Sequence, residues 1–268
     1  MNLKYLIQKF LWSINYDLSR INFDNILASE FIKLLRPIQL YDYQLKRFGN
    51  QDGDGGYIVP NNFDNIKYLF SLGVGQEVSF EKDLQQRKID CFLADGSVEN
   101  IGFDKLNLNF EKKFIKSYNS DNSLRFEDYK SKCIGNDFES NLILQIDIEG
   151  DEYNVLPTIS NSTFLQTKYL ILEYHFLTRF FDKKFNSLMY SSLRRVSEYF
   201  YPIHLSVNNT STIMDMGKYQ IPHCLEVSYI NKKFVHHKIE YLKKNNDHLN
   251  KPNIKKKTIQ TPKCFFEI

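Results

Sequence analysis

Cysteine is scarce and scattered. The chain has four, Cys91, Cys133, Cys224 and Cys264, and none belongs to a CxxC pair. That spacing fits reduced thiols in a cytoplasmic protein better than a disulfide framework or a zinc site. An excess of one charge is also missing. Lys plus Arg number 35 and Asp plus Glu 32, a net charge of +3. A protein built around a nucleic-acid backbone shows a clear basic excess, so no nucleic-acid partner is expected. No apolar run reaches the roughly 18 residues of a membrane-spanning helix. No internal repeat is visible. What is present is a globular composition, 42% apolar, 15% aromatic and 25% charged over 268 residues. That length suits one or two domains with a large core and argues against a disordered chain.

The start, Met1 to Trp12, reads like a secretory signal until Gln8-Lys9 interrupts it. No small-residue cleavage site follows, so a retained helix is expected. Over 3–14, Leu3, Leu6, Ile7, Phe10, Leu11 and Ile14 share one helical face. Its polar side is not strongly basic. Packing on its own domain or on a second subunit, as in a homodimer, therefore ranks ahead of a membrane surface. A second helical pattern runs through Ile26, Leu27, Phe31, Leu34 and Leu35 and stops at Pro37. Residues 47–60, rich in Gly, Asp and Asn, read as a shaped loop.

From residue 66 onward, short apolar runs alternate with longer amphipathic ones. Strands are expected at 68–72, 89–94, 113–116, 142–148 and 169–173. Helices are expected at 77–87, within 98–111, and at 151–159 and 185–199. That alternation predicts an α/β fold with a parallel sheet covered on both faces. Two further β runs, 201–207 and 224–230, read as a terminal hairpin on one edge. The boundaries follow: an N-terminal helical extension over 1–44, the main domain over 45–232, and a polar C-terminal extension over 233–268. Within the last, 231–257 is rich in Lys, Asn and His. It reads as a solvated surface or, more sharply, as a patch facing phosphate.

Three segments carry chemistry. In the first, an apolar strand runs into Gly73-Val74-Gly75-Gln76-Glu77. Glycines there admit close backbone approach, and a helix start offers free N–H groups. Asp95 ends the next strand, placed to hold a ribose hydroxyl pair. A dinucleotide fingerprint wants a third glycine at position 78, where this chain has Val78. A β-branched residue there disfavours a pyrophosphate, which tilts the reading from NAD toward S-adenosylmethionine.

The second segment is Leu142-Ile143-Leu144-Gln145-Ile146-Asp147-Ile148-Glu149-Gly150, followed by Asp151 and Glu152. Asp147 and Glu149 share one side of an extended strand. Asp151 and Glu152 read as complements of a helix N-terminus. The third is Leu170-Ile171-Leu172-Glu173-Tyr174-His175. Neighbouring strand ends then present Asp147, Glu149, Glu173 and His175 to one crevice, a general-base or divalent-metal constellation. A structural, hydrogen-bonded His175 is the other reading.

In this order, the segments resemble a class I S-adenosylmethionine-dependent methyltransferase. Asp147-Ile148-Glu149-Gly150 and Glu173-Tyr174-His175 resemble the FkbM-like group. Asp54-Gly55-Gly56-Tyr57-Ile58-Val59 resembles a loop of its branch in bacterial glycan gene sets, as do Asn208-Asn209 and Pro222 through Glu226-Val227. The resemblance spans about residues 45–232. It implies a Rossmann-like sheet of seven strands, parallel except for an antiparallel last one, with the helical extension before it. It implies Gly73, Gly75 and Glu77 beside the methionine and ribose, and Asp95 on the ribose hydroxyls. Ser97 and residues 122–124 fall near the adenine, and Arg47 and Asp54 close over the cofactor. Many relatives carry an acid where this chain has Ser71, so Asp54 or Asp147 is left to meet the cofactor's amino group.

Methyl transfer from a sulfonium needs alignment. A sugar hydroxyl also needs a base or a cation to lose its proton. The resemblance therefore implies Asp147 and Glu173 on Mg²⁺, Mn²⁺ or Ca²⁺, His175 or Glu149 as the base, and Asn208 and Asn209 on acceptor hydroxyls. The implied reaction is O-methylation of a sugar hydroxyl, on a nucleotide-activated sugar for surface polysaccharide. The competing readings are an NAD-dependent oxidoreductase, a methyltransferase of another acceptor, and a binding module. Against a DNA amino-group methylase, the chain lacks an Asn/Asp-Pro-Pro-aromatic element.

Overall fold

The structure, a computed structural model, describes residues 3–14, 24–99 and 109–267. Helices α1 (Leu3–Ser13) and α2 (Asn25–Leu34) come first. Asp24 caps α2 by accepting the N–H groups of Ile26 and Leu27, and Phe31 and Ile32 are fully buried beneath it. Leu3, Leu6, Ile7 and Phe10 of α1 stay outside, Leu3 being 70% and Phe10 63% exposed. No helix among the described residues is long and apolar enough to cross a membrane.

Strands β1 (Leu45–Gly49) and β2 (Gly56–Pro60) pair antiparallel. The stretch expected as one loop over 47–60 is therefore a hairpin, and only 50–55 is loop. Tyr57, Ile58 and Val59 pair with Phe48, Arg47 and Lys46, so side chains suited to a pleat overrode the polar residues between them. Then come β3 (Ile66–Leu72), α3 (Ser79–Gln85), β4 (Asp90–Ala94), β5 (Asn109–Glu111), β6 (Phe114–Ile115), β7 (Ser123–Leu124), α4 (Phe126–Ile134), β8 (Asn141–Ile146), α5 (Glu152–Val155) and α6 (Asn161–Gln166). The chain finishes with β9 (Thr167–Tyr174), α7 (Asn186–Tyr199), β10 (Phe200–Val207), β11 (Ile213–Met216), β12 (Tyr219–Pro222) and β13 (Leu225–Asn231).

Seven strands form one mixed sheet in the order β10-β13-β9-β8-β3-β4-β5. β3, β4, β5, β8 and β9 are mutually parallel, and β13 runs against both of its neighbours. From β3 the chain steps to β4 and β5 on one side, then returns to β8 and β9 on the other. The order reverses between β3 and β8, and in open α/β sheets ligands bind outside the carboxyl ends at that point.

Two expectations need refining. The two terminal strands pair antiparallel at one edge of the sheet, as expected, but they are not a simple hairpin. β13 is inserted between β9 and β10, and the link carries its own ribbon, β11–β12. An apolar strand buried along almost its whole length gains more from two partners than from one. Residues 113–116 are not a strand of the main sheet either. Asn109–Glu111 takes the edge beside β4, while Phe114–Ile115 pairs with Ser123–Leu124 in a ribbon of two strands. Most of the helix expected within 98–111 lies outside the described residues. Its tail, 109–111, is strand.

Strand alternation divides the interior. Phe70, Leu72, Leu144, Ile146 and Leu172 join a core shared with α2, α4 and α7. Leu69, Ile143 and Ile171 join a second core under the β1–β2 hairpin and α3. That second face turns polar toward its carboxyl end, where Ser71, Gln145 and Glu173 are all buried. A buried polar side chain must be hydrogen-bonded, and the partners of these three build the candidate site.

Candidate active site

The carboxyl ends of β3, β4 and β8 open into a cavity of about 340 Å³. Asp54, Gly73, Gly75, Glu77, Asp95, Ser97 and Asp147, expected as cofactor contacts, all line it, as does Glu149. The two glycines serve different ends. Gly73 has φ +80°, and a Cβ there would lie 1.6 Å from the Asp147 carbonyl oxygen. It is glycine because two strand ends touch. Gly75 has φ +55° with nothing within 4 Å of its missing Cβ, so it leaves open space. Gly75→Ala is expected to lower stability by about 1 kcal/mol through its left-handed backbone. It should also weaken adenosyl-ligand binding about tenfold, about 1.4 kcal/mol. Calorimetry beside thermal unfolding checks both, and unchanged binding places the ligand elsewhere.

Both glycine N–H groups of the turn are already committed. The Gly73 N–H donates to the Ala94 carbonyl (2.9 Å) and the Gly75 N–H to Asp95 Oδ2 (2.8 Å). Asp95 Oδ1 accepts from the Ser97 N–H and hydroxyl, and Glu77 accepts the Ser79 N–H. The lining itself is acidic. Asp54, Glu77, Asp95, Asp147, Glu149 and Asp151 face one ammonium, Lys116, which is paired with Asp151. Val78, expected to block a pyrophosphate, is wholly buried in the second core and obstructs nothing. The acidic wall and the committed N–H groups take over that argument.

Phe114 and Ile115 line the cavity where 122–124 were expected. The latter sit behind them, with the Asn122 carbonyl accepting the Phe114 N–H. The Phe114 ring lies over Gly96, where any Cβ would come within 2.5 Å of it. Arg47 does not close over the cavity. It is 7% exposed, and its guanidinium holds the hairpin loop through the carbonyls of Asn50 (2.8 Å) and Gly53 (2.6 Å).

His175 sits at the end of β9. Its Nδ1 lies 3.0 Å from Glu152 Oε1, and its Nε2 lies 3.4 Å from Glu149 and 3.8 Å from Asp147. Glu152 is wholly buried, and the same Oε1 accepts the N–H groups of Ile148 and Gly150. An oxygen already accepting two N–H bonds accepts a third, so Nδ1 carries the hydrogen and Nε2 is left basic. Sequence reading gave Glu152 to a helix start. Its burial, visible only in the fold, makes it the partner that orients His175. Burial pulls the His175 pKa down, but the Glu152 hydrogen bond and the charges of Glu152, Glu173 and Glu149 outweigh it and raise it. Glu149 (φ +56°) and Phe176 (φ +57°) are both left-handed, so the backbone is strained just past β8 and β9.

Beside His175, half-buried Asp147 and buried Glu173 form a hydrogen-bonded pair. Glu173 Oε1 accepts from Asn208 Nδ2 (2.7 Å) and the Cys224 thiol (2.7 Å). Burial pushes the Asp147 pKa well up, with the Glu173 charge adding to it. Burial also pushes Glu173 up, but its hydrogen bonds from Asp147, Asn208 and Cys224 outweigh that and bring it below its ordinary value. Asp147 therefore holds the proton and Glu173 the charge. Asp147 Oδ1 is buried without a partner. Donor atoms of Asp147, Glu149 and His175 lie within 4.8 Å of one another, and those of Glu173, His175 and Cys224 form a second such group.

Asn208 reaches the site through Glu173. Asn209 is turned away from it. Its side-chain amide donates to the Ile254 and Lys256 carbonyls and accepts the Ile254 N–H, each at 3.1 Å.

No protein-family model matches the chain, and no curated protein matches it. Among solved structures, a chain of a fibrillarin/Nop5p complex is similar at 10% identity, covering 73% of this chain and 98% of that chain, with a TM-score of 0.37. A likeness this slight does not bear on function.

Proposed function

We propose that the chain is an S-adenosylmethionine-dependent O-methyltransferase acting on a sugar hydroxyl, in the cytoplasm, for surface polysaccharide synthesis. The observation that carries the cofactor reading is the acidic cavity at the sheet's switch point. It suits a ligand bearing sulfonium and ammonium charges and opposes the diphosphate of NAD. Bound S-adenosylmethionine supplies an activated methyl group. Asp95 accepts from ribose hydroxyls, and the Phe114 ring offers a stacking face to the adenine. Neutral His175, held by Glu152, takes the acceptor proton at Nε2. The FkbM-like motifs Asp147-Ile148-Glu149-Gly150 and Glu173-Tyr174-His175 support transfer to oxygen, and the resemblance of the Asp54-Gly55-Gly56-Tyr57 loop supports the sugar.

The deciding experiment is calorimetry with S-adenosylmethionine and S-adenosylhomocysteine on chelator-treated protein. Micromolar binding is expected. Absence of binding by folded protein, or binding of NAD(H) instead, overturns the proposal.

A second activator is favoured by the unpartnered Asp147 Oδ1 and the hard oxygens around it. Asp147, Glu149 and His175 would hold a divalent cation, which lowers the pKa of a bound hydroxyl. Chelation separates the two. Turnover unchanged after exhaustive EDTA leaves His175 as the base, and loss restored by Mn²⁺ assigns activation to the cation.

A further inference from the structure

Residues 250–257 form a strap that the sheet end holds tightly. Asn250 meets His204 Nε2 at 2.6 Å and donates to the Leu205 carbonyl at 3.2 Å. Asn245, 5% exposed, donates to the same carbonyl at 2.6 Å and to Thr261 at 2.9 Å. Asn209 clamps Ile254 and Lys256, and Asn253 Nδ2 donates to Asp54 Oδ1 at 3.1 Å. Asp54 lines the cavity, and Asn208, beside the clamp, bonds Glu173. The strap is thus tied at Asn253 to the cavity wall and at Ile254 and Lys256 to Asn209, the neighbour of the residue that bonds Glu173.

This segment carries Lys251, Lys255, Lys256 and Lys257, all exposed. Among the described residues, none of the four makes an ion pair. Fixing like charges together is unfavourable, and a free surface segment relieves the repulsion by moving. Here buried asparagines prevent that. The cavity interior is acidic and repels phosphate, while the strap tied to its wall at Asp54 is basic. A ligand with an uncharged end and an anionic end matches that polarity.

We propose that Lys251, Lys255, Lys256 and Lys257 form a phosphate subsite on the strap, receiving the phosphate or diphosphate of the acceptor while its sugar points inward. This rests on the methyl-transfer reading and adds the place where the acceptor's charge is bound. The test is calorimetry at low salt, with and without S-adenosylhomocysteine, using inorganic pyrophosphate, GDP, glucose 1-phosphate and glucose. GDP and pyrophosphate are expected to bind and glucose not. The relative strength of glucose 1-phosphate tells a sugar phosphate from a nucleotide sugar. Replacing all four lysines by glutamine is expected to weaken binding at least tenfold, with S-adenosylhomocysteine affinity unchanged. Four arginines should restore it. Equal binding by the glutamine variant, no binding of GDP or pyrophosphate at millimolar concentration, or tighter binding of a single-stranded oligonucleotide than of GDP each overturns the subsite. Failure of S-adenosylhomocysteine to bind sinks the methyltransferase reading instead, and the anion titration still decides the subsite.

Discussion

His175→Asn is expected to lower methyl transfer by roughly 10²–10⁴-fold, the usual contribution of a positioned general base. S-Adenosylhomocysteine affinity should stay within about twofold, because adenosyl binding falls to the Gly75, Asp95 and Phe114 side of the site. Asparagine keeps a donor for Glu152. Alanine would leave that buried carboxylate short of a partner and lower stability by about 1–3 kcal/mol. Asparagine cannot accept and hold the acceptor proton at the place of Nε2. A transfer rate within twofold of the parent would remove His175 from the reaction.

The pH profile carries a second signature. Only neutral His175 can take a proton, so the rate should rise with pH through a pKa above 6.5. Glu152→Gln removes the largest raising influence and leaves burial to lower that pKa. The limb should then move toward acid. A limb that stays in place belongs to another group.

The parts of the site that lie at strand ends were legible in the sequence. A period of two, an apolar strand and a polar last residue locate Asp95, Asp147, Glu173 and His175 without a fold. The glycine turn was legible for the same reason, although Gly73 answers to the Asp147 carbonyl rather than to a ligand. What stayed hidden depends on distant packing. Glu152 looks like any acid at a helix start until α5 is seen to bury it against His175. Phe114 was absorbed into an expected strand. The clamp from Asn209 to Ile254 and Lys256 spans more than forty positions, and nothing local marks it. In the fold, β13 reads as a strand from its own residues, but its insertion between β9 and β10 follows from partners and not from pattern. Helices α4 and α6 were missed, α4 because Lys130 interrupts the apolar stripe it buries and α6 because it has only six residues.

Ser71, wholly buried near the end of β3, is joined to a buried acid, Glu81. Ser71 Oγ lies 2.5 Å from Glu81 Oε1 and 2.8 Å from Gln145 Oε1. Gln145 Oε1 also accepts the Leu72 N–H, which fixes the orientation of that amide. A hydroxyl has one proton, and Ser71 must give it to Gln145. Glu81 therefore donates to Ser71, and to donate it must be protonated. Burial does this: Glu81 is 2% exposed, and desolvation lifts its pKa from 4.5 to about 7.

The stability consequence follows from that sign. Below pH 4.5 both folded and unfolded chains are protonated at Glu81, and the group has no effect. Between 4.5 and about 7 only the folded chain keeps the proton, so stability falls as pH rises. Above 7 the full penalty is present, about 3 kcal/mol from a shift of this size. Glu81→Gln should escape it, since its amide donates to Ser71 at every pH. The variant is expected to match the parent at pH 5 and exceed it by about 3 kcal/mol at pH 8, several degrees in Tm. Thermal unfolding of both proteins at the two pH values measures this. An equal difference at pH 5 and pH 8 would mean that Glu81 is ionised in the folded chain, and the proton chain from Glu81 through Ser71 to Gln145 would have to be redrawn.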